Sequence, residues 1–315
     1  MKLVILMPAF NEEKTISQTI LEIPKKISGI DEVEILVIDD GSSDKTVDMA
    51  LNAGATKIVS HKTNMGVGAA FMTGIRNAIS MNADIVVTVD ADAQANTDEI
   101  SSLINPIMNN QFDVVIGTRF LKNVPKGYPK IKLIGNRIFT NLVSFVAGKK
   151  FTDTQTGFRA YSKESIADIS VVNDFTYTQE VLIDLHFKGH RIGDIEITVQ
   201  HYRKESKVTK SLFKYTSRSL SIILHSVIFH RPMLVFGLFG LLLVSGGIIG
   251  KIITASQIFG ISAGLTTGFI VLGVVSFMLG VLATIVFKRQ SFSEKDLRHY
   301  VNEFKKYQND SNTKN

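Results

Sequence analysis

The chain has 315 residues, of which 45% are hydrophobic and 20% charged, with a formal net charge of +6. It contains no cysteine, which excludes disulfides, cysteine-ligated zinc and a thiol nucleophile, and it contains no tryptophan. Mean hydropathy is +0.17, and most of the apolar excess lies after Arg231.

Leu3-Val4-Ile5-Leu6-Met7 reads as a buried strand that stops at Pro8. That apolar run is too short for a secretory leader, so the domain that follows is expected to stay in the cytoplasm. A helix is predicted to open over residues 11–15, with Glu12 and Glu13 in its first turn, where the helix dipole favours acids. Glu34-Ile35-Leu36-Val37-Ile38 is a second strand, ending in Asp39-Asp40-Gly41-Ser42-Ser43-Asp44. Ser43 or Asp44 can cap the next helix, over residues 47–53. Lys57-Ile58-Val59-Ser60 is a third strand, and Asn64-Met65-Gly66-Val67-Gly68 is a small-residue loop entering a helix.

Ile85-Val86-Val87-Thr88-Val89 is a fourth strand, and it runs into Asp90-Ala91-Asp92-Ala93-Gln94. On an extended backbone residues two apart point the same way, so Asp90 and Asp92 face one place. Two carboxylates that close repel unless a cation lies between them, and a hard divalent cation fits. An isolated D-x-D triplet is more often a solvated loop start, so the surroundings must decide. Asp113-Val114-Val115-Ile116-Gly117 is a fifth strand.

Strands alternating with helices predict a mostly parallel sheet with helices on both faces. Three strands end in polar clusters, at residues 8–13, 39–44 and 90–94. Carboxyl ends of parallel strands share one edge, so these clusters are predicted to meet in one ligand-binding crevice. Rival phosphate motifs are absent, since there is no Walker lysine and Gly66-Val67-Gly68 lacks a third glycine. That glycine pair reads as a helix N-terminus needing close backbone approach, able to help cradle an anion.

Residues 232–249 are apolar apart from Ser245, and residues 263–287 carry no charge. Each is long enough to cross a hydrocarbon layer of ~30 Å. A short connection makes them a hairpin, and Arg231 before it with Lys288-Arg289 after it place both outer ends in the cytoplasm. Ser245-Gly246-Gly247 and Gly264, Gly268, Gly273 and Gly280 either allow close helix contact or are merely tolerated there. Residues 211–230 mix apolar side chains with Lys214, Arg218, His225 and His230, as an interfacial amphipathic helix does. Residues 203–231 hold seven Lys/Arg and one acid, which favours anionic lipid or a lipid phosphate over a merely solvated face. Because this patch abuts a span, no nucleic acid is expected. Residues 291–315 read as a short helix with a frayed polar end.

Pro8-Ala9-Phe10-Asn11-Glu12-Glu13, the 39–44 cluster, Asn64 with Gly66 and Gly68, the 90–94 cluster and Gly117-Thr118-Arg119-Phe120 resemble family 2 glycosyltransferases of the GT-A fold. Asp153 with Thr156-Gly157-Phe158-Arg159, then Glu180, then Ser206-Lys207, are similar to the polyprenyl-phosphate sugar transferases, the dolichol-phosphate mannose synthase group and its glucosyl relatives. The match runs over residues 3–210. It implies an α/β chain: a GT-A (Rossmann-like, mostly parallel sheet) catalytic domain at 1–210, an interfacial helix at 211–230, a two-helix transmembrane hairpin at 231–289 and a cytoplasmic tail at 290–315.

The same resemblance implies roles. Pro8, Phe10, Glu12, Val37, Asp39, Asp40 and Ala91 would contact the nucleotide sugar. Asp90, Asp92 and Gln94 would hold Mg2+ or Mn2+ against its diphosphate, which a Lewis acid neutralises as it leaves. Arg119, Lys132, Asn136, Arg159, Arg203, Ser206 and Lys207 would meet the acceptor phosphate. Asp92, Arg119, Asp153 and Glu180 would form the catalytic set, the last two carboxylates organising the site rather than taking a proton. Lys132 and Asn136 stand where mannose synthases often carry arginine and then serine, and His201 stands where an arginine is usual, with Arg203 slightly later. The implied reaction is inverting transfer of one sugar, mannose or glucose, from a GDP- or UDP-sugar to a polyprenyl phosphate at the cytoplasmic membrane face. A second copy of the chain is a candidate partner. The alternatives are a family 2 enzyme with another acceptor and a non-catalytic membrane module that binds nucleotide sugar. Processive polysaccharide synthases are disfavoured, because their Q-x-x-R-W signature needs a tryptophan.

Overall fold

The computed structural model describes residues 1–121, 124, 128–170, 177–198, 221, 224, 227–255 and 264–287. The chain divides into two compact units, Met1–Ile223 and Leu224–Asn315. In the first, seven strands form one sheet: β1 (Lys2–Ala9), β2 (Glu32–Asp39), β3 (Lys57–Ser60), β4 (Ile85–Thr88), β5 (Val114–Thr118), β6 (Arg159–Ser162) and β7 (Ile192–Glu196). Their order is β3-β2-β1-β4-β6-β5-β7. All neighbours pair parallel except β6, which runs antiparallel between β4 and β5. The helices are α1 (Ile16–Leu21), α2 (Thr46–Ala53), α3 (Val67–Ser80), α4 (Ile100–Met108), α5 (Lys130–Ala147), α6 (Lys163–Asp168) and α7 (Thr178–Phe187).

The central strand explains the two covered faces. Leu3 to Met7 are fully buried, as a strand with helices on both sides requires. Leu3, Ile5 and Met7 pack with Ile16 and Ile20 of α1 and with Ile100, Leu103 and Ile104 of α4. The alternate residues of β1 point to the other face, where α3 lies against β1 and β2.

Pro8 does not end β1, which continues to Ala9. The register explains why. Ala9 accepts a hydrogen bond from Asp40 N on the β2 side, so Pro8 faces the β4 side, where pairing has already stopped at Leu6 and Thr88. Its missing N–H therefore costs no ladder bond.

Helix α1 begins at Ile16, so Glu12 and Glu13 lie in the turn before it and not in its first turn. Asn11 takes a left-handed φ of 53°, and the N–H groups of Asn11, Glu12 and Glu13 donate instead to Ser42 and Asp44 of the β2–α2 loop and to Thr46 at the start of α2. Bonds across the crevice satisfy groups that a helical first turn would leave without partners. The N-cap of α2 is Lys45, which makes no side-chain cap bond, so neither predicted residue takes that position. Asp44, one residue earlier, accepts the Thr46 N–H at 3.0 Å, while Ser43 N donates to Asn11 Oδ1.

In the second unit, α8 (Pro232–Ala255) and α9 (Gly264–Phe287) are each 24 residues long and apolar enough to cross a membrane. They touch backbone to backbone. A Cβ on Gly240 would lie 2.5 Å from the Gly273 carbonyl oxygen, and one on Gly273 2.6 Å from that of Gly240. Gly247 packs on Thr266 and Ile270, and Gly280 on Phe236, whereas Gly246 and Gly268 face open space. Most of the interfacial helix predicted over 211–230, and all of Lys288-Arg289 and the tail, lie outside the described residues.

Candidate active site

The carboxyl ends of β1, β2 and β4 share one edge of the sheet, and side chains knit their loops together there. Besides the Asn11, Glu12 and Glu13 bonds, Thr15 Oγ1 donates to Ala91 O at 2.8 Å, joining the β1 loop to the Asp90–Gln94 segment. Gly41 has φ +74, and a Cβ there would come within 2.7 Å of the Thr63 backbone, so the β2 loop and the α3 approach press together. The three clusters meet.

Asp39 and Asp40 are 4% and 3% exposed. Asp39 accepts the Ser42 N–H. Asp40 turns inward and accepts the N–H groups of Met65 and Gly66 at 2.9 and 2.8 Å. It also lies 2.7 Å from His61 Nδ1, and His61 Nε2 lies 2.9 Å from Thr73 Oγ1. Asp40 thereby holds the loop that enters α3. His61, which sequence reasoning missed, braces it.

Asp90 stands at the end of β4, open to solvent but deep in the crevice. Burial first, and then the Asp92 charge, push its carboxyl up to about 7, while Arg119 and Arg159 pull the other way. Gly157 makes room for it, since a Cβ there would sit 2.7 Å from Asp90 Oδ2. Asp92 accepts from Gln94 through both backbone N–H and side-chain amide, across Ala93 at a left-handed φ of 57°. Among the described residues no group of three or more His, Cys, Asp or Glu is gathered to hold a metal alone. Two carboxylates and an amide oxygen nevertheless suit a hard divalent cation that takes its other ligands from a phosphate-bearing partner. A cation there would relieve the repulsion between the Asp90 and Asp92 carboxylates, so the donor set fits.

Arg119 follows β5 and is forked on Asp153, with Nε to Oδ2 at 2.7 Å and Nη2 to Oδ1 at 3.0 Å. Asp153 is 0% exposed and also accepts the Asn136 amide of α5 at 2.9 Å. Thr140 Oγ1 donates to Asn136 Oδ1. Burial alone would raise the Asp153 carboxyl; Arg119 and these hydrogen bonds hold it below the usual carboxylate range. Arg159 is fully buried, donating to the carbonyls of Thr178 and Thr154. It lies under Asp90 as part of the floor rather than at the surface of the crevice. Tyr161 and Tyr177, also missed in the sequence, complete that floor, and Tyr177 stacks on Phe71 at 3.8 Å. Burial, then the Asp90 charge, hold the Tyr177 phenol well above its ordinary value.

Pro8, Asp39, Asp40, Asp90, Ala91, Asp92 and Gln94 are thus brought together, with half-buried Glu12 and exposed Phe10 beside them. Val37 is 0% exposed in the core, and Asn136 is 1% exposed with its amide on Asp153, so neither side chain lines the opening. Lys132 is half-buried on α5, and Glu180 is 8% exposed in the first turn of α7. Arg203, Ser206 and Lys207 lie outside the described residues.

The sequence model described as Glycosyl transferase family 2 matches residues 4–170. A UDP-N-acetylglucosamine–dolichyl-phosphate N-acetylglucosaminyltransferase of Methanococcus voltae is 32% identical, over 61% of this chain and 83% of that protein. A dolichyl-phosphate hexose transferase of Haloferax volcanii is 30% identical, over 65% of this chain and 86% of its own length. Among solved structures, glucosyl-3-phosphoglycerate synthase from Mycobacterium tuberculosis, in complex with Mn2+, UDP and phosphoglyceric acid, superposes with a TM-score of 0.57. That likeness covers 71% of this chain and 78% of the other at 21% identity, and is one of fold.

Proposed function

The chain belongs to glycosyl transferase family 2, and from that premise we propose that it moves one sugar, with inversion, from a nucleoside diphosphate donor to a polyprenyl monophosphate. It is related to dolichyl-phosphate sugar transferases, and the name of the Methanococcus voltae relative carries both a nucleotide-sugar donor and a dolichyl-phosphate acceptor. The observation that carries the reading is the meeting of Asp90 and Asp92 with a forked arginine, Arg119, whose charge acts on Asp90. A negatively charged leaving group and a negatively charged acceptor both need a site of that kind.

The β1 and β2 loops, with Glu12 and Asp39, hold the nucleoside. Asp90, Asp92 and Gln94 hold Mg2+ or Mn2+, which when bound neutralises charge on the leaving diphosphate. Arg119, 21% exposed and oriented by Asp153, aligns the acceptor phosphate. A phosphate oxygen attacks the anomeric carbon, the bond to the diphosphate breaks, and nucleoside diphosphate leaves. Since the nucleophile is already an anion near neutral pH, positioning replaces a strong base. Asp153 stays ionised as the anchor of Arg119. The crevice and both chain termini lie on the cytoplasmic side.

The test is a panel of UDP- and GDP-sugars with polyprenyl phosphate in sealed membrane vesicles. Glycosyl-phospholipid is expected only where the cytoplasmic face points outward, and neither Asp92→Asn nor the EDTA-treated protein should form it. Full activity in EDTA would remove the metal, and activity only in right-side-out vesicles would reverse the topology.

A further inference from the structure

Helix α5 has two opposite faces. One is buried through Asn136, Phe139, Thr140, Val143, Val146 and Ala147. The other is apolar too, yet exposed: Ile131 at 67%, Ile134 at 59%, Ile138 at 59% and Phe145 at 62%. At 3.6 residues per turn these four fall within roughly a sixth of the helix circumference, away from Asn136. Single surface isoleucines need no explanation, but a contiguous apolar stripe marks a docking face. Helix α4 shows the contrast, with Ile100, Leu103, Ile104 and Ile107 all buried.

The charges around the stripe select its partner. Helix α5 carries Lys130, Lys132 and Arg137 and no acid, and Lys130 and Arg137, both exposed, border the stripe. A second copy would bring the same positive rim against it, which repels. An anionic leaflet accepts the isoleucines and the basic flank together. The chain also carries two helices of membrane-spanning length, which bring a bilayer to it.

We propose that the outer face of α5 lies on an anionic bilayer, with Ile131, Ile134, Ile138 and Phe145 at the headgroup–acyl boundary and Lys130 and Arg137 among headgroup phosphates. Asn136 sits on the reverse of the same helix and bonds Asp153, which carries Arg119. Docking therefore sets the arginine about one helix diameter from the lipid surface. The proposal concerns where a helix lies and does not depend on the transfer reaction.

The absence of cysteine makes a clean test possible. Ile134→Cys and Ile138→Cys, each labelled with bimane in the full chain, are placed in vesicles of phosphatidylcholine and phosphatidylglycerol. Both labels are expected to be quenched by shallow spin-labelled lipid and to be severalfold less quenched by iodide than the same label at exposed Leu51→Cys of α2. The lipid quenching should grow with the phosphatidylglycerol fraction and weaken in Arg137→Glu. Iodide quenching equal to that at position 51 overturns the proposal. So does shielding that persists in detergent together with disulfide formation between unlabelled Ile134→Cys copies under oxidant, which would assign the face to a second copy.

Discussion

Asp153 shows how one enclosed carboxylate can orient a partly exposed arginine. Its burial favours the neutral form, yet the Arg119 fork and the Asn136 amide hold it ionised below the usual range. Asp153→Asn keeps the shape and removes the charge. Losing one partner of a buried pair costs ~3–5 kcal/mol, and because the Arg119 side chain is 21% exposed the lower end applies. The sign of the pH effect follows from the depressed value. Stability from this group is complete above its ordinary value of 3.8 and is lost as pH falls through the lower folded value. Thermal unfolding of the full chain in detergent should show a constant gap between wild type and variant at pH 5–8 that closes in stronger acid. A gap unchanged by acid would place the contribution of Asp153 in packing instead of charge.

At the scale of elements, the crossing of α8 and α9 depends on two glycines whose backbones touch, Gly240 and Gly273. Any side chain at Gly240 must push the helices apart, and overpacking of that kind costs ~1–3 kcal/mol. Gly240→Leu should lower the unfolding temperature in detergent clearly, and Gly246→Leu, pointing into open space, should leave it nearly unchanged. Equal losses would mean that the crossing is elsewhere. The sequence shows both glycines of each kind alike, because spacing does not say which face of an apolar helix meets its neighbour. The strands divide in the same way. β1 to β5 are legible as apolar runs stopped by polar clusters, since such runs leave few alternatives. β6 is not: Arg159-Ala160-Tyr161-Ser162 is a short mixed segment that becomes a strand only because β4 and β5 offer it two edges. Asp90, Asp92, Arg119 and Asp153 are visible as motif residues, but the fork of Arg119 on Asp153 spans 34 positions. His61 lies 21 positions from Asp40. Neither contact has a local period, so only the folded sheet edge reveals it.

For the whole molecule the question is what the apolar helices do for a crevice that belongs to another unit. A polyprenyl tail gains ~0.8 kcal/mol for each buried CH2, so the phosphate of the proposed acceptor stays at the bilayer surface and the crevice must come to it. Tethering supplies this by raising effective concentration, an advantage of roughly 10²–10⁴-fold with no new contact in the site. The unit Met1–Ile223 is compact by itself. A chain truncated after Ile223 should therefore still bind nucleotide sugar with Mn2+, and should glycosylate a short, water-soluble polyprenyl phosphate at close to the full-length rate. Its transfer to long-chain polyprenyl phosphate in vesicles should fall by the tethering factor. The outer face of α5 predicts that the remaining vesicle activity will rise with phosphatidylglycerol, and that Ile134→Asp will abolish that rise while sparing the soluble acceptor. Equal losses on both acceptors after truncation would show that the hairpin supports the catalytic fold itself, and holding the crevice at headgroup height would no longer explain why the two units share one chain.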